Sequence, residues 1–446
     1  MNQNYTDIIQ QLSQLLLQAI EERESFLCQN VEQLDSELAK LLRLVGLQVM
    51  SGLLNSLAKQ VTQEAKHPGL VVHRRSAVKY SVIFGTVEVY SPYLWHKKEG
   101  WGVRPVEEKL GLEHRQHSIA VKRALVDFGV EESFGQAAKR FQEHYGWGVE
   151  RSLVRRKVET IAQLAEQYVE QRLKEKIFKS PDQHLQNICD RVLVELDGSH
   201  VRTGIKLTGK SGELTQSRKI KKSSRQIDWR EVRVGFARPV DQKEQRTFVA
   251  RMDKYPPVVE QLKWAAYSQG MTSQSQVYAV ADGGNGLREA LEAQFPNLTF
   301  ILDRSHIKQH IYQGADSLSL SGASRHLWVN HLLDLIDCGH TQKAIRWIKH
   351  YCNKAKNPKR LENLCNYLNR FSDASNYQVF RSRGLPIGSG EIESAHRYIP
   401  QKRLKIPGAT WHPNTINPML ALRVIRANDW WNDFWHQVSQ AKKSIN

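Results

Sequence analysis

The chain has 446 residues, of which 40% are hydrophobic and 25% are charged. That length predicts two or three domains, and that balance excludes a disordered protein. The formal net charge of +18 indicates a polyanionic partner, because each neutralised phosphate releases condensed counterions, although charge does not separate binding from catalysis.

The cysteines and the N-terminus predict an intracellular protein. The five cysteines are odd in number, lie far apart and form no Cys-x-x-Cys pair, which favours a reducing cytosol over a disulfide framework or a Cys-rich zinc site. The N-terminus lacks a basic region, and we find no run of about 18 apolar residues. We therefore expect a cytoplasmic, nucleoid-associated protein without membrane contact.

Residues 1–68 are predicted to form a helical region. Leucines and valines recur mostly at threes and fours from residue 6 to about residue 66, and His67-Pro68-Gly69 is a plausible stop. A pair of dimerisation helices and a helical hairpin that packs on its own domain both fit this pattern.

Residues 69–185 are predicted to combine a β-hairpin with a helix-turn-helix that binds DNA. Apolar residues alternate on both sides of Gly85, which predicts the hairpin turn. Residues 118–175 return to a helical pattern, with a glycine-containing turn at 146–148 before a basic helix. That helix would contact DNA, or present a solvated surface, through Arg151, Arg155, Arg156 and Lys157.

From residue 186 the pattern becomes that of an α/β domain with a mixed sheet. Five strands are predicted, with two helices between the later ones, at 256–268 and 286–293. The strands are predicted at 192–196, 232–237, 247–252, 277–281 and 298–302. The first part of the catalytic core is expected over 186–310, a helical insertion over 311–385, and a C-terminal catalytic helix and tail over 386–446.

Two carboxylates are predicted at one edge of this sheet. Asp197 follows the first strand and Asp282 follows the fourth, and the glycines after each leave backbone room for a ligand. A third acid would come from Glu391 or Glu393 at the start of the last helix, although an acid there is also explained by the helix dipole. Hard oxygen ligands suit Mg²⁺ or Mn²⁺, and two such ions support in-line phosphoryl displacement.

Other polar residues near these positions are candidates for accessory roles. Asp303 and His306 would orient metal, water or DNA, or form a structural hydrogen bond with each other. His396 and Arg397 would contact the scissile phosphate, or pair at the surface. A basic loop between the first two strands would contact DNA phosphate, or remain merely solvated, through Lys219, Lys221 and Lys222.

From Leu196 through Trp435 the sequence resembles the ISKra-type insertion-sequence transposases, which are related to the Mutator-like group. The resemblance rests on Leu196-Asp197-Gly198, Ala281-Asp282-Gly283-Gly284, the segment 301–306, and Gly388-Ser389-Gly390 followed by Glu393. It implies an RNase H-like fold with Asp197, Asp282 and Glu393 as the catalytic and metal-binding residues, and it selects Glu393 over Glu391. Downstream the match continues through Arg403 and Lys405, which we expect to contact DNA. Many relatives carry a Cys pair after the N-terminal hairpin, but residues 92–100 contain none, so a zinc knuckle is not expected.

The resemblance implies a DNA transposase that cleaves DNA and transfers strands with two Mg²⁺ or Mn²⁺ ions. Its partners would be double-stranded DNA, namely the terminal inverted repeats of the element and the target, bound by a homodimer or higher oligomer. Two alternatives remain: a catalytically inactive or domesticated transposase-derived DNA-binding protein, and a Mg²⁺-dependent nuclease that never joins strands.

Overall fold

A computed structural model describes residues 3–21, 32, 34–178, 188–206 and 225–441. The chain forms two compact units. The first comprises residues 1–128, 135–151 and 439–446, and the second comprises residues 129–134 and 152–438.

The N-terminal elements are two long helices followed by short strands in two small sheets. They are α1 (Gln3–Glu21), α2 (Leu34–Glu64), β1 (Leu70–Arg74), β2 (Ala77–Val82), β3 (Gly85–Tyr90), β4 (Tyr93–His96), β5 (Trp101–Val103), α3 (Pro105–Leu110) and β6 (Gln116–His117). One sheet has the order β1-β4-β5 and the other β3-β2-β6. The sequence patterns did not predict the first sheet.

The hairpin predicted near Gly85 is confirmed. Strands β2 and β3 pair antiparallel with Val82 opposite Gly85, and Gly85 has a φ of +144°, a conformation that favours glycine. The inward side chains of this hairpin, such as Val78 and Val89, join Ala58 of α2 in one hydrophobic core. The apolar faces of β2, β3 and α2 therefore pack together in this unit.

Within the described residues, α2 is the one helix long and apolar enough to cross a membrane, judged by length and composition alone. Core helices of soluble proteins and signal sequences meet the same criterion. The finding qualifies the expectation that no such segment exists. The apolar residues of α2 are interrupted mostly by polar uncharged residues, so the helix has no long unbroken apolar run and yet carries few charges there.

Three helices precede the five-stranded sheet of the second unit: α4 (Ile119–Glu131), α5 (Phe134–Tyr145) and α6 (Arg151–Phe178). The glycine turn predicted before the basic helix is present, with Gly146 at a φ of +72°. Arg151, Arg155 and Arg156 of α6 are exposed, and Arg155 forms an ion pair of 2.8 Å with Glu159. The basic end of α6 is thus open to solvent.

The second unit is built on a five-stranded mixed sheet. Its strands are β7 (Arg191–Lys206), β8 (Arg225–Pro239), β9 (Thr247–Arg251), β10 (Gln276–Ala281) and β11 (Leu298–Leu302). Their order is β11-β10-β7-β8-β9, with β7, β8 and β9 antiparallel and β10 and β11 parallel to β7. Three antiparallel strands followed by two parallel ones, with the first strand central, is the RNase H-like arrangement, so that prediction is confirmed.

Helices connect and cover this sheet. Between its strands run α7 (Tyr255–Ser268) and α8 (Leu287–Gln294). The predicted all-helical insertion is confirmed as α9 (Arg304–Ala315), α10 (Gly322–Asp337), α11 (Thr341–Tyr351), α12 (Pro358–Arg370) and α13 (Tyr377–Ser382). The chain continues through α14 (Gly390–His396), a π-helical turn (Arg397–Gln401), α15 (Lys402–Leu404), α16 (Ile416–Ala427) and α17 (Trp431–Ala441).

Candidate active site

Three aspartates lie at the same level of three neighbouring strands. In the parallel ladder Val280 lies opposite Glu195, and continuing that register brings Asp282 level with Asp197. The β10–β11 register in the same way brings Asp303 level with Asp282. One expectation was wrong: Asp197 does not end its strand, because β7 continues to Lys206, and only the pairing with β10 ends there.

The environment of Asp197 shows that acidic groups converge on it. Burial raises its pKa to about 6, and the negative charges of Asp282 and Glu393 contribute to that rise. A hydrogen bond of 2.7 Å from the Gly198 N–H and the positive charge of His306 oppose it. Asp282 and Glu393 therefore both lie close enough to Asp197 to repel its negative charge.

The two acids of α14 have different surroundings. Glu391 accepts hydrogen bonds of 3.1 Å and 2.7 Å from Nε and Nη2 of Arg238, a side chain that is 1% exposed. Arg246 lies 3.5 Å from the same carboxylate. Glu393 is exposed, and its negative charge contributes to the raised pKa of Asp197. Since Glu391 is engaged in a structural ion pair, the geometry favours Glu393 as the third acid.

Glu195 is a site residue that the sequence patterns missed. It is 1% exposed, and its Oε2 accepts a hydrogen bond of 3.0 Å from the backbone N–H of Ile392 in α14. Burial and the negative charge of Glu391 raise its pKa to about 8. A lone acid within the apolar run 192–196 was the signal that could have revealed it.

Asp303 forms a buried hydrogen-bonding centre behind these acids. It caps α9 and accepts hydrogen bonds from the Ser305 N–H at 2.7 Å, from His306 Nδ1 at 2.9 Å and from the Ser389 hydroxyl. Burial raises its pKa, but hydrogen bonds from His306, Ser389 and Ser305 outweigh burial and lower the value to about 2. The structural hydrogen bond between Asp303 and His306 is therefore present.

The same bond also orients His306 toward the acids. The hydrogen bond to Asp303 raises the pKa of His306 against the effect of burial, and the charges of Asp282 and Asp197 raise it further. The His306 side chain is about one third exposed. The acids around His306 thus favour its protonated form.

The helical insertion supports the loop after Asp282. The Asp282 carboxylate accepts a hydrogen bond of 3.0 Å from the Gly284 N–H. A Cβ atom on Gly283 would lie 2.5 Å from Tyr367 Cε2 and 2.8 Å from Phe371 Cε2. Aromatic side chains of the insertion therefore occupy the space beside Gly283.

His396 does not occupy the surface position expected of a phosphate contact. It is buried, and its Nε2 lies 3.3 Å from Asp197 Oδ2. Burial lowers its pKa to about 4, so the ring is neutral at pH 7. Arg397, the next residue, is exposed at the start of the π-helical turn.

The two basic residues after this turn also differ. Arg403 is buried between the rings of Phe134 and Trp411, and its Nε donates a hydrogen bond of 2.8 Å to the Gly129 carbonyl. The prediction that Arg403 contacts DNA is therefore corrected: it is a packing residue. Lys405 is exposed, and it lies near enough to Asp197 for the negative charge of that carboxylate to favour its protonated form. The predicted contacts Lys219, Lys221 and Lys222 lie outside the described residues.

Comparison with known proteins places the chain in a family. The family model described as "Uncharacterised protein family (UPF0236)" matches residues 27–438. The chain belongs to UPF0236. No curated protein matches it. A chain in the crystal structure of a pre-cleavage Mos1 transpososome matches 58% of this UPF0236 member and 79% of its own length, at 11% identity. The TM-score of that match is 0.14.

The residues of this UPF0236 member suit a divalent cation by their chemistry. Asp197, Asp282 and Glu393 supply carboxylate oxygens, the ligands that Mg²⁺ and Mn²⁺ prefer. Among the described residues, no three His, Cys, Asp or Glu side chains gather at the spacing of a metal centre. Positive charge beside these carboxylates would offset the repulsion that helps to raise the pKa of Asp197.

Proposed function

We propose that this protein is a DNA transposase that cleaves DNA and transfers strands with Asp197, Asp282 and Glu393. The observation that carries the proposal is the convergence of these three acids on an RNase H-like sheet. Asp197 and Asp282 lie level on adjacent strands, and the negative charges of Asp282 and Glu393 both raise the pKa of Asp197. The helix that bears Glu393 is fastened to the strand of Asp197 through Glu195.

Asp197, Asp282 and Glu393 would hold two Mg²⁺ or Mn²⁺ ions. When bound, such ions stabilise the attacking and leaving oxygens of an in-line phosphoryl displacement. The carboxylates serve as ligands and balance positive charge. Neutral His396 packs against Asp197 and limits its movement, and Asp303 fixes the ring of His306 beside the acids.

Double-stranded DNA is the substrate in this proposal, namely the terminal inverted repeats of an element and its target. The net charge of +18 supports a polyanionic substrate. Arg155 and Arg156 of α6 and Lys405 near Asp197 are exposed cations that would hold phosphates. We further propose that a homodimer or higher oligomer brings the DNA ends together.

A strand-transfer assay with Mg²⁺ or Mn²⁺ and a DNA end from the encoding element tests the proposal. Asp197→Asn, Asp282→Asn and Glu393→Gln are expected to abolish joined product and to retain DNA binding. Asp241→Asn, which changes an exposed acid away from these groups, is the matched control and should retain activity.

Each other outcome selects an alternative. Cleavage without joining would indicate a nuclease. DNA binding without chemistry in either metal would indicate an inactive or domesticated DNA-binding protein. Activity that survives Glu393→Gln would remove Glu393 from the site.

A further inference from the structure

Helices α11 and α12 of the insertion form an antiparallel hairpin. Gln342, near the start of α11, donates a hydrogen bond of 3.3 Å to Asn369, near the end of α12. Halfway along, the Cys365 thiol donates to the Ile345 carbonyl at 3.9 Å. Each helix buries an apolar stripe and leaves its polar side in solvent. The hairpin therefore presents a polar surface whose composition can be read.

The exposed side of this hairpin is strongly basic. Residues 338–361 contain seven Lys or Arg and no Asp or Glu. All seven cations are exposed, and together they are here termed the basic surface: Lys343, Arg346, Lys349, Lys354, Lys356, Lys359 and Arg360. Lys349 lies in the last turn of α11, and Lys359 and Arg360 lie in the first turn of α12. Most of the basic surface is thus gathered where the two helices join.

The cations of the basic surface have no acidic partner. Among the described residues, none of the seven takes part in an ion pair. The insertion holds five acids, and three of them are already paired with arginines outside the basic surface, namely Asp316, Asp337 and Asp373. Asp334 and Glu362 are the other two, which leaves an excess of five positive charges. Such an excess favours a bound polyanion, because its charges are not balanced within the insertion.

The residue types identify this polyanion as DNA. Five of the seven cations are lysines, which are depleted at protein interfaces, whereas Lys and Arg side chains commonly bind phosphate oxygens. Trp347 is the one large apolar side chain exposed on α11, and its ring contacts His331 and Tyr351 at centroid distances of 4.6 Å and 5.5 Å. A protein partner would need an apolar centre, and a membrane would need several apolar side chains to insert. The basic surface offers mainly contacts for phosphate.

Helix α12 connects the basic surface to the loop after Asp282. Its first turn carries Lys359 and Arg360, and its later residue Tyr367 lies 2.5 Å from the position of a Cβ on Gly283. Arg360 and Tyr367 are seven residues apart, roughly 10 Å at about 1.5 Å per residue. One helix therefore fixes the basic surface relative to the loop that follows a proposed catalytic acid.

We propose that the basic surface of the α11–α12 hairpin binds the phosphate backbone of double-stranded DNA. This role rests on the proposed function, since it takes DNA as the substrate. It adds a set of contacts to those of the exposed arginines of α6 and of Lys405. Because the contacts are made to phosphate, they depend on salt concentration and carry no base sequence preference.

Binding of the full chain to a fluorescently labelled duplex, measured by anisotropy in EDTA over a series of salt concentrations, tests this role without catalysis. Lys349→Gln combined with Arg360→Gln is expected to reduce the slope of log affinity against log salt by about 1.8, since each phosphate contact contributes about 0.9. Affinity at low salt should fall on the order of ten-fold. Both side chains are exposed, so the melting temperature should stay at the wild-type value.

Lys243→Gln combined with Arg383→Gln is the matched control, because it removes the same two charges from exposed positions elsewhere in the second unit. Arg383 lies beside Arg191 at the start of β7, and Lys243 lies in the turn between β8 and β9, so both are at the end of the sheet opposite to the Asp282 loop. This variant should keep the wild-type slope. An equal loss of slope in the control would mean that net charge, and not the basic surface, controls binding.

Lysine acylation of the wild-type chain, followed by mass spectrometry with and without duplex, reports the contact without any substitution. Lysines of the basic surface should lose reactivity when DNA is bound, and Lys243 should stay reactive. Unchanged acylation together with an unchanged slope in the Lys349→Gln, Arg360→Gln variant would overturn the role of the basic surface and leave the transposase proposal standing. Protection by phosphatidylserine vesicles, but not by a duplex that the chain binds, would reassign the surface to a membrane. Failure of the wild-type chain to bind DNA would overturn both proposals.

Discussion

The backbone N–H of Ile392 donates a hydrogen bond of 3.0 Å to the carboxyl group of Glu195. Glu195 lies two residues before Asp197 on β7, and Ile392 lies one residue before Glu393 on α14. Alternate residues of a strand share a face, so the contact fastens α14 to the face of the sheet that carries Asp197. The buried acid Glu195 thus helps to set the distance between the proposed catalytic acids Asp197 and Glu393.

Glu195→Gln is expected to make the protein less sensitive to alkaline pH. The pKa of Glu195 is raised from 4.5 to about 8, so the folded state holds this proton more tightly than the unfolded state. The associated stability is full below pH 4.5 and is lost as pH rises to about 8. Glutamine still accepts the Ile392 hydrogen bond without ionising. Denaturant unfolding should show equal stability at pH 5 and a gain on the order of 3 kcal/mol for the variant at pH 8.5. Equal losses of stability with pH in both proteins would contradict this account.

Substitutions of the two acids of α14 should have different effects, one on stability and the other on activity. Glu391→Gln weakens the ion pair with Arg238, whose charge is buried, and should lower the free energy of unfolding by roughly 3 kcal/mol. Glu393→Gln changes an exposed side chain and should leave the free energy of unfolding within about 0.5 kcal/mol of wild type while strand transfer is lost. Thermal melting and the strand-transfer assay, run on both variants, check the pair. A stable Glu391→Gln protein, or an unstable Glu393→Gln protein, would argue against these roles.

The strands and the helices of the core were predictable because their patterns are local. The strand predicted at 298–302 coincides with β11, and the hairpin at Gly85 was signalled by alternation around a glycine. The outer half of β7 was missed, although Val201 and Thr203 are buried and alternate with more exposed neighbours, which is the pattern of a strand.

The surroundings of the site were not predictable, because they depend on contacts between distant parts of the chain. Nothing near Glu391 in the sequence indicates that its partner is Arg238, which lies on β8. Likewise, Arg403 matched a basic pattern, but its burial between Phe134 and Trp411 depends on tertiary packing. Sequence patterns therefore placed Asp197 and Asp282 on neighbouring strands of one sheet, but they did not predict which charged residues serve structure.

Asp303→Asn is expected to lower both the stability of the fold and the pKa of His306. The folded-state pKa of Asp303 is lowered to about 2, so its ionised form contributes stability above pH 3.8 that is lost as pH falls to about 2. Removing the charge should reduce the free energy of unfolding by about 2 kcal/mol at pH 7. His306 loses the partner that raises its pKa, so its titration should move to lower pH. NMR titration of histidine-labelled protein, assigned with His306→Gln, measures the shift. An unchanged His306 titration would mean that the bond to Asp303 does not control this ring.

Gly283→Ala should impair activity because the helical insertion packs directly on the loop after Asp282. The added methyl group would lie 2.5 Å from Tyr367 and 2.8 Å from Phe371, distances that require the ring or the loop to move. Overpacking of this kind costs about 1–3 kcal/mol, and the displaced loop carries Asp282 away from Asp197. We therefore expect a lower melting temperature and at least a ten-fold loss of strand transfer. Gly390→Ala is the matched control, since a methyl group there meets no atom within 4 Å and the glycine lies in the first turn of α14. If Tyr367→Ala, which empties the space beside Gly283, restores activity to Gly283→Ala, the clash is the cause of the defect. If the double variant stays inactive while folded, Tyr367 positions the Asp282 loop in its own right, and the insertion is then part of the active site.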